Sequence, residues 1–264
     1  MGEMKVACIQ MDNLSLDPDQ NYRTVSERIE EVAASLRPDV ITLPETWNTG
    51  YIPREGLDQA SDTNGERTKR LLGALSRKHA VNIVGGSVSD RRDGGIYNTT
   101  YVYDRQGECV FRYDKIHLLS RFGENVAYRA GNTFGSFLLD GVPCTAIICY
   151  DIRFPEICRA VAEPPVKMMF VSAQWPKSRS EQLTAFLKTR AMENEIFLVA
   201  NSSTPPNRQG QNRGGSAIVA PRGNVLVSAD SGQDVIFADL DLAEVDEEQM
   251  RRPIWADRRP ELFR

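Results

Sequence analysis

The chain has 264 residues, of which 41 % are apolar, so it is long enough to bury a sizeable core. Its formal net charge of −4 excludes the strongly basic surface of nucleic-acid-binding domains, and no apolar stretch reaches the ~18 residues of a membrane span. The N-terminal residues follow a strand pattern rather than the apolar core of a signal peptide.

The cysteines and histidines argue against a metal site. Five cysteines without CxxC spacing fit neither a disulfide framework nor a zinc cluster, and the two histidines have no partner at the spacing of metal ligands. Reduced thiols are typical of proteins in the cytoplasm. We therefore expect a cytoplasmic protein with no metal and no cofactor, and with neither nucleic acid nor membrane among its partners.

Strands and helices alternate in the first half of the predicted structure. The helix at 21–36, for example, carries Val25, Ile29 and Val32 at helical spacing. In chain order the predicted elements are strand 5–10, helix 21–36, strand 40–43, helix 67–78, strand 81–88 and a hairpin of 97–104 with 109–113.

The second half repeats this alternation. Its predicted elements are strand 145–149, helix 154–161, strand 168–172, helix 180–194, strand 197–201, a hairpin of 216–220 with 225–228, and strand 235–240, which closes the sheet. Buried strands interleaved with helices predict a layered α/β protein. The polar stretch 201–215 is predicted to be a surface loop beside the active site, and no linker divides the chain.

Glu45, Lys115 and Cys149 each stand where an apolar, strand-like run ends. Because reactive groups collect beyond the carboxyl ends of strands in α/β sheets, we expect the three to meet in one pocket. There Glu45 can act as general base, Cys149 as nucleophile and Lys115 as the cation that stabilises an oxyanion. Taken singly, Cys149 is more simply a buried small side chain, and the two charges are solvated strand-end residues. Their joint occurrence in this order favours catalysis.

Four motifs resemble those of a known family. They are Leu43-Pro-Glu-Thr-Trp47, Tyr113-Asp-Lys-Ile-His-Leu118, Gly123-Glu-Asn-Val-Ala-Tyr-Arg-Ala-Gly131 and Ile148-Cys-Tyr-Asp-Ile-Arg-Phe-Pro-Glu156. With them the chain is similar to the carbon–nitrogen hydrolases of the nitrilase superfamily, and the resemblance spans nearly the whole chain. It implies that Glu45, Lys115 and Cys149 form a catalytic triad, and that Glu124 orients the lysine and the substrate amide. His117 follows Lys115 by two residues and is expected near the site, with packing as its first role.

The resemblance also implies a fold and an assembly. The expected α/β fold is a four-layer αββα sandwich, formed by a single carbon–nitrogen hydrolase domain over 1–264. Members of the family pair through the helices here predicted at 154–161 and 180–194, so a homodimer or higher homo-oligomer is expected. Residues 241–264 are expected to be a C-terminal tail that extends over the partner, although their polar composition equally suits a disordered terminus.

The expected substrate is a small aliphatic amide. The motif that begins at Cys149, together with Ala173-Gln-Trp-Pro176, looks most like the ω-amidase branch, whose members hydrolyse the terminal amide of short 2-oxo acid amides. The chemistry implied is attack by the thiol, an acyl-enzyme, release of ammonia and hydrolysis by water.

Four residues are assigned to substrate binding: Tyr51, Tyr150, Arg153 and Trp175. Arg153 can hold an anionic group of the substrate by a bidentate contact, or it can form a structural salt bridge to Asp151 or Glu156. Tyr51 and Trp175 follow predicted strand ends, where they either wall the pocket or belong to the core.

Alternative functions stay open. An N-carbamoyl amino acid amidohydrolase or a nitrilase would use the same triad, but true nitrilases usually have Cys-Trp-Glu where this chain has Cys149-Tyr150-Asp151. A non-catalytic binding member of the family is a third alternative. The presence of Glu45, Lys115 and Cys149 together speaks against it.

Overall fold

Two β-sheets form the centre of the molecule. The computed structural model describes residues 2–13, 15–50, 55–204, 214–230, 232 and 234–262, with the side chain of Lys177 excepted. The first sheet contains β1 Glu3–Gln10, β2 Val40–Thr42, β3 Asp62–Thr63, β4 Asn82–Val84, β5 Val88–Arg92, β6 Gly95–Tyr103, β7 Cys109–Asp114 and β14 Asp234–Asp241. The second contains β8 Ser136–Leu139, β9 Val142–Ile148, β10 Met168–Ala173, β11 Phe197–Ser202, β12 Ala217–Val219 and β13 Val225–Ser228.

The strand order brings distant parts of the chain together. The first sheet runs β14-β1-β2-β4-β6-β5-β3, with β7 paired to β6, and the second runs β13-β12-β11-β10-β9-β8. Strand β14 pairs antiparallel with β1, from Glu3 opposite Asp241 to Gln10 opposite Asp234. The first sheet is therefore completed by residues from near the C-terminus.

The described residues form eight α-helices, several of which cover the outer faces of the two sheets. In chain order they are α1 Pro18–Leu36, α2 Leu57–Ala60, α3 Glu66–His79, α4 Glu124–Ala127, α5 Pro155–Val161, α6 Ser180–Asn194, α7 Ala243–Arg251 and α8 Ile254–Asp257. Helix α1 begins where the side chain of Asp17 accepts a hydrogen bond from the Gln20 N–H at 3.0 Å, with Pro18 in the first turn. In the described part of the chain, no helix combines the length and the apolar character needed to cross a bilayer.

Alternating side chains of the strands fill three apolar layers. In β1, Val6 and Cys8 face the second sheet, whereas Ala7 and Ile9 contact the residues of α1 and α3. Strand β10 does the same: Met168 and Phe170 face the first sheet, while Met169 and Val171 belong to the layer under α5 and α6. Because both faces of each sheet are covered at its centre, the central strands β2, β10 and β11 are buried at every position, whereas the edge strands β13 and β14 alternate with exposed residues. The result is the αββα arrangement.

Two details of the fold differ from the sequence predictions, and a third was left open by them. The predicted strand 81–88 is two strands, β4 and β5, because the chain turns at Gly85-Gly86. A Cβ at Gly86 would lie 2.1 Å from the Pro44 carbonyl oxygen, and its φ is +60°, so glycine is required here. The sequence predicted that 235–240 close a sheet without specifying which one, and in the structure they close the first sheet beside β1. Strand β8 has no counterpart among the predicted elements.

The segment 241–264 contains more structure than a polar tail. Its helix α7 contributes Val245, which is buried in the layer between the sheets. The buried ammonium of Lys167 donates to Asp246 Oδ2 at 2.6 Å and so ties α7 to the residue before β10. An extension of this segment over a second copy stays a prediction.

Candidate active site

The three predicted catalytic side chains meet between the two sheets. Glu45 lies three residues beyond β2 and Lys115 directly after β7, both in the first sheet. Cys149 directly follows β9 in the second sheet. The sequence predicted a common pocket at strand ends, and these strand ends come from facing sheets.

Lys115 is the centre of the cluster. Its Nζ donates to Glu45 Oε1 at 2.8 Å and to Glu124 Oε1 at 2.7 Å. All three side chains are at most 1 % exposed. Burial by itself lowers the pKa of Lys115, but the two carboxylates and the nearby Cys149 raise it, and the net result lies well above the usual value. At neutral pH Lys115 is therefore a charged ammonium, held in place by the two carboxylates.

Glu45 is held by hydrogen bonds to both carboxylate oxygens. Asn98 Nδ2 donates to Oε1 at 3.0 Å, and the backbone N–H of Gln174, which follows β10, donates to Oε2 at 2.9 Å. The side chain of Gln174 also donates to the Glu45 carbonyl oxygen at 2.7 Å. Glu45 thus has a single orientation and links the two sheets.

Glu124 stands at the start of the short helix α4. Its Oε2 accepts from the Leu119 N–H at 2.6 Å, while Oε1 faces Lys115. Burial raises the pKa of Glu124, Lys115 lowers it, and the neighbouring Glu45 carboxylate raises it again, with a net upward shift. Glu124 is therefore protonated more readily than a carboxylate that is free in water.

Cys149 occupies a turn with an unusual backbone. Its φ is +45°, a left-handed value that is uncommon for a residue with a Cβ, and it opens the 3₁₀ turn Cys149–Arg153. Burial raises the pKa of its thiol, and the Glu45 carboxylate raises it further, against a smaller opposing effect of Lys115. At neutral pH the thiol is therefore protonated, and its surroundings include the Glu45 carboxylate.

Arg153 is packed among aromatic rings. Its Cζ lies 4.7 Å from the ring centre of Trp175 and 5.0 Å from that of Phe186. Its Nη2 donates to Gln182 Oε1 at 3.3 Å. Within the described ranges Arg153 forms no ion pair, so the structural salt bridge considered from the sequence is not made there. The partly exposed guanidinium keeps capacity for an anion.

The other predicted binding residues differ in their environment. Tyr150 is partly buried and packs edge-on against Phe154, with ring centres 5.2 Å apart. Trp175 is 3 % exposed and donates from Nε1 to the Arg179 carbonyl oxygen at 2.8 Å. Tyr51 lies outside the described residues. Trp175 therefore packs against the Arg153 guanidinium, and its own ring is buried rather than exposed in a pocket.

Comparison with known proteins identifies the family. The model of the carbon–nitrogen hydrolase family matches residues 5–249, which is nearly the whole chain. This chain belongs to that family. The resemblance seen in the four motifs is thereby confirmed.

The relatives of this carbon–nitrogen hydrolase cover its full length. The 2-oxoglutaramate amidase of Bacillus subtilis (strain 168) is 35 % identical over 258 residues, 98 % of both chains. The omega-amidase NIT2 of Mus musculus is 25 % identical over 272 residues, covering 100 % of this chain and 98 % of that protein. XC1258 of Xanthomonas campestris, a CN-hydrolase superfamily protein solved with an arsenic adduct in its active site, matches with a TM-score of 0.89 at 25 % identity over 98 % of both chains. The predicted fold is confirmed.

The site of this carbon–nitrogen hydrolase includes a third carboxylate, Asp151, whose role sequence reasoning missed. Asp151 is fully buried, and its Oδ2 accepts from Tyr113 Oη at 2.7 Å and from the Ile148 N–H at 3.1 Å. Its Oδ1 accepts from the His117 N–H at 2.9 Å and lies 2.8 Å from His117 Nδ1. Asp151 therefore clamps the lysine segment to the cysteine turn.

His117 packs as expected but does more. Its ring stacks on Phe154, with ring centres 3.7 Å apart. This stacking and the two contacts to Asp151 hold His117 and Asp151 together. His117 lies two positions after Lys115, and Asp151 lies two positions after Cys149. The equal spacing of Asp151 and His117 from the reactive residues was the only signal in the sequence. Asn98 gave none, because its partner Glu45 lies far away along the chain, and Gln174 appeared only within the motif Ala173-Gln-Trp-Pro176.

Proposed function

We propose that the chain is a thiol-dependent amidase in which Cys149 is the nucleophile. The observation that carries the proposal is the Lys115 ammonium, fixed between two buried carboxylates beside the cysteine turn. A buried base, a cation and a thiol in one cluster are the groups that acyl transfer requires.

The first step forms the acyl-enzyme. Because the thiol of Cys149 is neutral at rest, it needs a base, and Glu45 takes the Sγ proton as the sulfur bonds to the amide carbon. The carbonyl electrons move to oxygen, and the resulting oxyanion is stabilised by Lys115 and by N–H groups at the start of the 149–153 turn. Collapse of this intermediate breaks the C–N bond. The leaving nitrogen takes the proton from Glu45 and departs as ammonia.

The second step regenerates the thiol. Glu45 removes a proton from water as the water oxygen attacks the thioester carbon. The C–S bond then breaks, and the sulfur regains its proton from Glu45. One amide and one water give one carboxylic acid and one ammonia. Throughout, Glu124 holds Lys115 in place through the 2.7 Å contact and helps to orient the substrate amide.

The proposed substrate is a small aliphatic amide that carries a carboxylate, such as the ω-amide of a 2-oxo acid. The relatives named 2-oxoglutaramate amidase and omega-amidase support this class. Arg153 supports it independently, because its guanidinium is preorganised by Trp175 and is only partly buried. Tyr150 and Tyr51 are proposed to contact the same substrate.

A panel of substrates tests this proposal. Ammonia release is measured with 2-oxo acid ω-amides, neutral aliphatic amides, N-carbamoyl amino acids and nitriles. We expect the 2-oxo acid ω-amide to have the highest kcat/KM. Turnover of N-carbamoyl amino acids or nitriles without any amide would overturn the assignment. The Cys149→Ala variant, assayed in parallel, accounts for contaminating activity.

The remaining proposals concern context. We propose one carbon–nitrogen hydrolase domain over 1–264 that forms a homodimer or higher homo-oligomer through α5 and α6. Light scattering of the purified protein distinguishes these assemblies from a monomer.

A cytoplasmic location is proposed because all five cysteines are free thiols, the state that a reducing compartment maintains. Fractionation of cells followed by immunoblotting tests the location.

A further inference from the structure

Two carboxylates share one ammonium in this site. Glu45 and Glu124 both accept from Lys115 through their Oε1 atoms, so three charges of net −1 lie in a buried cluster. Two carboxylates this close in a medium of low dielectric constant repel each other, and such pairs tend to retain a proton. A proton on either one would impair a mechanism in which Glu45 must be free to accept one.

Asn98 lies between the two carboxylates. Its Nδ2 donates to Glu45 Oε1 at 3.0 Å and approaches Glu124 Oε1 at 3.4 Å. Its backbone carbonyl oxygen accepts from the Lys115 N–H at 2.9 Å. The side chain is 1 % exposed. One residue therefore contacts all three members of the charged cluster.

The orientation of the Asn98 amide is determined by these carboxylates. An amide turned the other way would place Oδ1 against two anionic oxygens, so the NH₂ group must face them. The consequence is that Oδ1 is buried without a hydrogen-bond partner in the part of the chain that the structure describes. An unpaired buried acceptor such as Oδ1 destabilises a fold. Here it accompanies the arrangement in which Nδ2 donates to both carboxylates.

We propose that Asn98 is a positioning residue that keeps Glu45 and Glu124 both ionised, so that Glu45 remains an available base at neutral pH. The inference depends on the proposed amidase mechanism and deepens it. Asn98 acts only through the carboxylates. Its two hydrogen bonds stabilise their anionic forms, which opposes the effects of burial and of mutual repulsion. Without them, one proton would be shared between the pair at higher pH.

The Asn98→Leu variant tests this proposal, because leucine has a similar size and no donor. We expect the acid limb of the pH profile of kcat/KM to move upward by about one pH unit or more, with KM changed by less than about threefold. The Asn98→Ser variant retains one donor and is expected to show a smaller shift in the same direction. It also serves as the test if the leucine variant does not fold.

Thr100→Val is the matched control. Thr100 lies two residues away in β6, is fully buried, and its Oγ1 also lacks a partner among the described residues. This variant should keep the wild-type pH profile. If Asn98→Leu and Asn98→Ser lose activity with an unshifted acid limb, Asn98 has a structural role only and the proposal is wrong.

A second readout works without a substrate. Alkylation of Cys149 by iodoacetamide, followed by peptide mass spectrometry over a range of pH, reports on base-assisted deprotonation of the thiol. We expect its pH profile to shift upward in Asn98→Leu as well. An amidase inactive on every substrate would refute the proposed function, whereas an active wild-type enzyme with unshifted profiles in both variants would refute only the role of Asn98.

Discussion

The charged cluster around Lys115 and the surroundings of Arg153 are built in opposite ways. Lys115, Glu45 and Glu124 are buried, and each is fixed by at least two hydrogen bonds of 3.0 Å or less. Arg153 is partly exposed, and among the described residues its side chain makes one hydrogen bond, at 3.3 Å, besides its aromatic contacts. The side chains of the first region are held by more hydrogen bonds than are needed to fix their positions. Such a rigid arrangement suits catalysis, because reacting groups tolerate little displacement. The second is adjustable and suits the selection of a substrate.

The largest expected effect is that of Cys149→Ala. Loss of the nucleophile should lower kcat by at least about 10⁴-fold. The free energy of unfolding should change by only about 1 kcal/mol, since little volume is removed. Ammonia release and chemical denaturation measure the two quantities.

Cys158→Ala is its control, because Cys158 is also buried but lies in α5. This variant should keep its activity. Retained activity in Cys149→Ala would remove covalent catalysis from the charged cluster altogether.

Lys115→Met should be nearly as severe and should also affect stability. It removes the cation from the oxyanion, which we expect to lower kcat about 10³-fold. It also leaves two buried carboxylates without their partner, at a cost of about 3 kcal/mol in the free energy of unfolding. Steady-state kinetics and urea denaturation measure these changes.

Lys167→Met is the matched control for the lysine. Lys167 is 4 % exposed and ion-paired with Asp246 far from the site. It should lose stability but keep kcat. Equal losses of kcat in both variants would mean that buried lysines act here only on stability.

Arg153→Ala tests the adjustable region. We expect KM for the 2-oxo acid ω-amide to rise about 10- to 100-fold, because a charged hydrogen bond is lost, with little change for a neutral amide. Arg159→Ala is the control, since Arg159 is similarly placed at 5.0 Å from the Trp255 ring. If anionic and neutral amides lose equally, Arg153 is structural and the two regions do not differ in function.

The smallest expected effect is a difference in pH dependence: on acidification, activity should be lost at a higher pH than folded structure. Burial raises the pKa of Glu124 above its usual value of 4.5, so activity should begin to fall on the acid side above that pH. A carboxyl whose pKa is raised by folding favours the folded state at low pH, and this contribution is lost as pH rises through the raised pKa. Glu124 therefore does not cause acid unfolding. We expect kcat/KM to decline before the circular dichroism signal does; coincident loss would contradict this.

Local sequence predicted most of the elements and the reactive residues. Helix 180–194 and the strands that precede Glu45, Lys115 and Cys149 appear where apolar periodicity placed them, since these signals are local. The pairing of strands is not local. The sequence did not indicate that Glu45 and Cys149 belong to different sheets. Nor did it indicate that Asn98 binds Glu45, which lies 53 residues away along the chain. The division of 81–88 at Gly85-Gly86 depends on the Pro44 carbonyl, which is also distant.

The pairing of β1 with β14 has a consequence for synthesis on the ribosome. Strand β1 is synthesised before β14, and one of its edges has no neighbour until residues 234–241 follow. Contacts of such large sequence separation form late, so the nascent chain exposes an open strand edge until β14 is available. A chain that terminates prematurely before residue 234 keeps that edge, where another chain can add as a strand and start aggregation.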